Sequence, residues 1–254
     1  SVQSGKPLWN SITHLRLSAW KAAARATTLT VRSIRPMTLS VGILRATPRT
    51  APGETALAEA SAQRAQRLFL KAGIPSALLS DGLDSLDLQP YRLLILPYNP
   101  ALSSNDVSLL ERYITRRNGR LAVFYNANER LAATLGFDVL PYVSQSENWS
   151  TVSFTPAAVH GLPPSMPHFT RHLIPVRALA PPAITLGTWL TPDGIPDRTL
   201  PATAVSPRGL WFSHLPPLAS PSAVHWIISA LAASDPSYKP TLDQYLAESS
   251  QRDA

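Results

Sequence analysis

There is not one cysteine in the 254 residues, so disulfides, thiolate metal sites and cysteine nucleophiles are all excluded. Compartment is not fixed by that lack, since cytosolic and exported proteins can both do without cysteine. Glycine is sparse as well, eleven against twenty-five prolines, a balance that favours rigid connections. Neither Gly-x-Gly-x-x-Gly nor Gly-Lys-Ser/Thr occurs, which removes residue-level support for nucleotide or flavin phosphates; no cofactor is expected. No apolar run approaches the roughly 18–20 residues of a membrane span. There is no opening Met and no signal-type apolar block, which reads as a processed form.

Acidic residues are missing from one end. Lys6, Arg16, Lys21, Arg25, Arg32, Arg35, Arg45 and Arg49 all precede the first acid, Glu54. From Glu54 onward fifteen bases face sixteen acids, so the net charge of +7 belongs to the first 53 residues. That segment is a candidate tether to nucleic acid or another anionic surface. It carries no glycine- or aromatic-interleaved nucleic-acid motif, which favours a solvated or docked extension over a nucleic-acid partner. Within it, residues 9–26 suit a moderately amphipathic helix with Trp9, Ile12, Ala19, Ala22 and Ala26 near one face.

From residue 37 the pattern becomes regular. "MTLSVGILRA" reads as a strand, followed by a helix from about Glu54 to Ala72 with Leu57, Ser61, Ala65, Leu68 and Ala72 on one face and Gly73 as its stop. "IPSALLS" is a second strand. "YRLLILPYNP" is a near-continuous apolar run, as expected of a parallel strand covered on both faces. Ser103 or Ser104 caps a helix whose Val107, Leu110 and Ile114 share a stripe, ending at Asn118-Gly119. "RLAVFYN" then predicts a buried strand and "ERLAATLGF" a short helix. Such alternation predicts an α/β fold with a doubly wound, mostly parallel sheet. After residue 138 the texture changes to strands separated by Pro-rich loops, with "SPRG" (206–209) as a hairpin turn. A helix opening at Ser220-Pro221 carries Val224, Ile227, Ile228 and Leu231 at i, i+3, i+4, i+7. The tail from Pro236 reads as a weak short helix or a frayed end. The economical division is a basic extension (1–36), an α/β domain (37–235) and a tail (236–254).

Three stretches carry a family resemblance. "LDLQPYRLLILPYNPALSSNDVSLLERYITRRNGRLAVFYN", "FYNANERLAATLG" and "GLWFSHLPP" together resemble the class I glutamine amidotransferase-like fold, a flavodoxin-like sandwich. The first is similar to the trimerisation domains of bacterial β-galactosidases and to domains attached to bacterial glycosyl-hydrolase-like proteins. The second lies where an amidotransferase has Ile-Cys-x-Gly-x-Gln, so Tyr125 takes the nucleophile's place, Ala127 that of the elbow glycine and Glu129 that of the glutamine. In the third, His214 stands for the catalytic histidine with a one-residue offset, and Leu215 and Pro216 follow where a glutamate would. A phenol with a pKa near 10 does not replace a thiolate, so the family's glutamine hydrolysis cannot run here. The resemblance therefore implies a pseudoenzyme: a non-catalytic domain that binds or assembles, linked to carbohydrate-active proteins as a homo-oligomer or beside a glycosyl-hydrolase-like neighbour. It favours an extracytoplasmic setting.

If that topology holds, Tyr125, Asn126, Asn128, Glu129 and His214 gather near the strand C-termini with Tyr98, Asn99 and Arg45. They would form a polar rim suited to a small carbohydrate, tyrosines offering flat apolar faces and amides offering paired hydrogen bonds. The plainer alternative is that the amides satisfy turn backbone groups. A sharper alternative is a hydrolase of glycans or small esters that pairs Glu129 with His214. Trp149, Trp189 and Trp211 are candidates for a protein interface. No metal is expected: Asp81, Asp84 and Asp87 miss the calcium-loop spacing, with Arg92 at its twelfth position, and of His14, His160, His168, His172 and His225 only His168 and His172 stand four apart, where Pro167 argues against a helix carrying them. "NWS" at 148–150 is a formal glycosylation triplet of the kind chance supplies.

Overall fold

The computed structural model describes residues 41–45, 52–79, 88–155 and 162–252, all within one unit of the chain, Leu39–Ala254. The readings placed on residues 1–36 and on Asp81, Asp84 and Asp87 lie outside the described residues.

The first half alternates as expected: β1 (Val41–Leu44), α1 (Pro52–Lys71), β2 (Ser76–Leu79), β3 (Leu93–Leu96), α2 (Ser104–Arg117), β4 (Arg120–Phe124) and α3 (Glu129–Leu135). Strands dominate the second half: β5 (Phe137–Val139), β6 (Val143–Phe154), β7 (Ser165–Leu173), β8 (Val176–Ala178), β9 (Ile184–Leu190), β10 (Pro196–Ser206) and β11 (Gly209–Phe212). Two helices follow, α4 (Pro221–Ser234) and α5 (Lys239–Arg252). Nine strands form one sheet in the order β2-β1-β3-β4-β11-β10-β9-β6-β7, while β5 and β8 pair separately. The first five run parallel, and β10, β9, β6 and β7 continue the sheet antiparallel. With β11 as the fifth parallel strand, the order is the flavodoxin-like 2-1-3-4-5, whose ligand crevice lies outside the C-termini of β1 and β3. This is the doubly wound, flavodoxin-like α/β class the sequence predicts.

Every residue of β1, β3 and β11 is buried, the mark of strands covered on both faces. One face packs Ile43, Phe124 and Phe212 against Phe69 of α1 and Trp226 and Ile227 of α4. The other packs Leu94, Val123 and Trp211 against Leu110 of α2 and Leu131 of α3. α1 buries Ser61, Ala65 and Leu68 of the expected stripe, with Ala58, Ala62 and Phe69 beside them, while Leu57 is 39% exposed. A ridge of alanines lets the helix lie close to the sheet, with Phe69 filling the space beyond. α2 starts at a capping box, Ser103 accepting from the Asp106 amide and Asp106 from that of Ser103. It ends at Asn118, in the left-handed region at φ 54°.

The predicted hairpin joins β10 to β11, pairing Ser206 with Gly209. Gly209 has φ 151°, and a Cβ there would sit 2.0 Å from the Leu121 carbonyl oxygen, so no side chain fits. The tail is more ordered than its sequence suggests: a 3₁₀ turn at Pro236–Tyr238 leads into the 14-residue α5, with Tyr238 and Leu242 buried. Trp149, Trp189 and Trp211 are buried, which corrects their reading as interface residues; they belong to the core. No described helix is long and apolar enough to cross a membrane.

Candidate functional site

The parallel strands deliver their C-termini to one edge, and most of the expected rim residues follow directly from them. β4 passes into α3 through Tyr125, whose φ of 50° is left-handed. A bulky residue rarely adopts that conformation, and the sharp bend turns the chain from strand to helix. Its amide donates to the Phe212 carbonyl at 3.0 Å, extending the β4–β11 pairing by one bond.

Three of the amides are engaged in holding the edge together. Buried Asn99 donates from Nδ2 to the Leu44 carbonyl at 3.3 Å, across the crevice between β1 and β3. Buried Asn126 donates to the Asn99 carbonyl at 2.6 Å, tying the end of β4 to that of β3. Asn126 Oδ1 accepts from the Asn128 amide, and Asn128 Oδ1 in turn caps α3 by accepting from the Leu131 amide. The crevice that would hold a ligand in a flavodoxin-like fold is thus stitched by carboxamide side chains. Arg45, at the end of β1, donates to Glu59 of α1 at 3.3 Å.

His214 stands two residues beyond the end of β11, but its side chain is turned into the core rather than presented on the surface. It is fully buried under α4, ring to ring with His168 (4.7 Å), Trp189 (5.1 Å) and Trp226 (5.3 Å). Burial and the neighbouring His168 push its pKa well below that of a free imidazole, and neither ring nitrogen has a hydrogen-bond partner. Glu129 is exposed on the first turn of α3, a helix that packs on the opposite face of the sheet. The two are therefore not brought together as an acid–base pair.

What does gather is a set of aromatic side chains. Tyr98, after β3, donates to Glu54 on the first turn of α1 at 3.1 Å; burial first, and then that bond, push its phenol up to about 12. Tyr125 is half-buried, and its pKa is raised by burial and by its hydrogen bond to Tyr142. Tyr142 lies just before β6, 54% exposed, with its hydroxyl 2.7 Å from Nδ1 of His172 at the end of β7. The two rings stack at 13°. The segment joining α3 to the antiparallel strands therefore meets the bend and presents Tyr125, Tyr142 and His172 on one surface. With their pKa raised, the phenols of Tyr98 and Tyr125 stay neutral at physiological pH and can donate and accept hydrogen bonds, unlike an activated nucleophile. Glu54, Tyr142 and His172 were not legible as site residues, because only tertiary packing brings Glu54 to Tyr98 after β3 and Tyr142 and His172 to Tyr125 after β4.

No protein-family model matches the chain, and no curated protein does. Solved structures do. A ThuA-like protein from Bacteroides uniformis is similar at a TM-score of 0.58 and 11% identity, over 80% of this chain and 94% of that one. Another from Parabacteroides merdae gives 0.52 and 11%, over 79% and 91%. A glutamine amidotransferase from Thermotoga maritima is a looser match, at 0.45 and 12%, over 83% and 91%. The chain shares the ThuA-like fold.

Proposed function

We propose that this is a non-catalytic amidotransferase-like domain that binds a neutral, polyhydroxylated ligand such as an oligosaccharide on its tyrosine-bearing edge. The observation that carries this is the contact of Tyr125, at the left-handed bend, with exposed Tyr142 and its stacked partner His172. Flat aromatic faces suit the apolar faces of sugar rings, and the phenols and imidazole supply hydrogen bonds to hydroxyls. Tyrosine in the nucleophile's place, and a deeply buried His214, favour binding over turnover. The implied setting is alongside carbohydrate-active proteins.

Calorimetric titration of the protein with a panel of neutral β-linked oligosaccharides tests this reading. At least one member is expected to bind, and Tyr142→Ala to weaken it by about tenfold or more. No binding at millimolar sugar, or binding indifferent to Tyr142, would overturn it. A role in assembly is favoured by one separate feature: Phe169 is 64% exposed on β7, the outermost strand of the sheet. An exposed edge strand is a template for pairing. Light scattering should then show an oligomer that Phe169→Lys dissociates, and a monomer at all concentrations removes that role.

A further inference from the structure

Charge is segregated along α1. Its first half holds Glu54 and Glu59, engaged by Tyr98 and Arg45, and its second half holds Arg64, Arg67 and Lys71. Positions i, i+3 and i+7 lie on one helical face, so the three cations form a row roughly 10 Å long. They line a groove of about 470 Å³ whose apolar lining includes Leu68, Leu218 and Val224. Among the described residues no carboxylate lines it, and none of the three cations is ion-paired. The helix macrodipole accounts for a base in the last turn, which is Lys71 alone. Arg64 and Arg67 come earlier and need another reason.

The remaining wall has matching polarity. Pro221, at the start of α4, lines the same groove. The N-cap Ser220 makes no side-chain cap bond; its hydroxyl meets that of Ser222 at 2.7 Å instead. The first-turn amides of α4 thus receive no side-chain cap beside a row of cations. Tyr245 of α5 also lines the groove and holds this end by donating to the Pro221 carbonyl at 3.2 Å.

We propose that this groove binds a phosphate monoester with an apolar alkyl or aryl body. The dianion would face the Arg64–Arg67–Lys71 row and the start of α4, and the body would lie along the apolar lining. A carboxylate carries only half that charge for three cations, and the volume falls within the usual range for a small-molecule site. The inference is independent of the sugar-binding reading, since the groove shares no residue with the tyrosine edge.

The test titrates the full chain with octyl phosphate below its micelle concentration, using octyl glucoside and inorganic phosphate as comparators. Affinity is read by calorimetry and location by the backbone amide resonances of Ser222 and Ala223. Octyl phosphate is expected to shift those two resonances and to bind at least about tenfold tighter than either comparator. Replacing both arginines (Arg64→Gln, Arg67→Gln) should weaken it by a similar factor with the melting temperature unchanged. Lys71→Gln supplies the same comparison should the double variant misfold. The proposal is overturned if octyl glucoside binds as well, if inorganic phosphate binds as well, if removing charge leaves the affinity alone, or if nothing binds.

Discussion

The backbone of Tyr125 has to reach φ 50° because its amide bonds the Phe212 carbonyl while the next residue, Asn126, turns inward to the Asn99 carbonyl. A left-handed conformation costs a non-glycine residue about 1 kcal/mol or more. Two truncations separate this backbone cost from the loss of the ring. Tyr125→Gly and Tyr125→Ala remove the same side chain, but only glycine relaxes at positive φ, so the glycine variant should be the more stable by about 1 kcal/mol. Urea unfolding of the pair decides it. At an ordinary extended position the order reverses, and alanine above glycine would mean the bend holds no strain. The neighbouring asparagines show how far single residues can be read. Their place at the edge was visible in the sequence, but a carboxamide offered to a ligand and one bonded to a carbonyl of another strand are spelled alike.

At the scale of elements, the strand–helix alternation was legible because each segment's pattern is local. α2 came with its Asn118 stop and a cap narrowed to Ser103 or Ser104, of which the structure uses Ser103, and the "SPRG" hairpin with its glycine. The α1 face was legible from Ser61 to Ala72 but not at its start, because Leu57 and Ala58 are both apolar and only the fit against the sheet buries Ala58 instead. Nor was the packing beneath α4, where His168 and His214 sit among Trp189, Trp226 and Phe212. This packing has a pH signature. Burial lowers His168 to about 4, and His214 moves the same way. In the unfolded chain both return to about 6.5. Above that value both states are neutral and stability is at its full level. As the pH falls below it the unfolded chain takes up protons that the folded one refuses, so stability declines until the folded pKa is reached. His168 alone accounts for a loss on the order of 3 kcal/mol between about pH 6.5 and 4. Urea midpoints measured across that window should fall steadily, and His168→Phe should flatten the decline. A variant with an unaltered slope would show that these rings are hydrated.

Across the whole α/β unit, the two edges of the sheet are closed by different chemistry. At the C-terminal edge neutral amides stitch β1, β3 and β4, leaving Tyr125 half-buried and Tyr142 outward. At the N-terminal edge the closure is ionic: Asp235, after α4, meets Arg92 Nε before β3 and Arg120 of β4, each at 3.1 Å. Neither closure can be read locally, since the ion cluster links positions 92, 120 and 235; this is why the fold class was legible and the details of its edges were not. The partners in the cluster are unequal. The side chains of Asp235 and Arg120 are 3% and 16% exposed, that of Arg92 55%. Removing the carboxylate strands the largely buried Arg120 guanidinium, so Asp235→Ala should cost roughly 3 kcal/mol. Arg92→Ala should cost less than about 1, because its charge is screened by water and Arg120 still faces Asp235. Denaturant unfolding of both variants, with matching m-values, measures the difference. Equal, small losses would assign the closure to hydrogen bonds to carbonyls instead, the Arg120 amide donating to the Arg92 carbonyl at 3.0 Å and the Arg120 side chain to that of Pro207 at 3.2 Å.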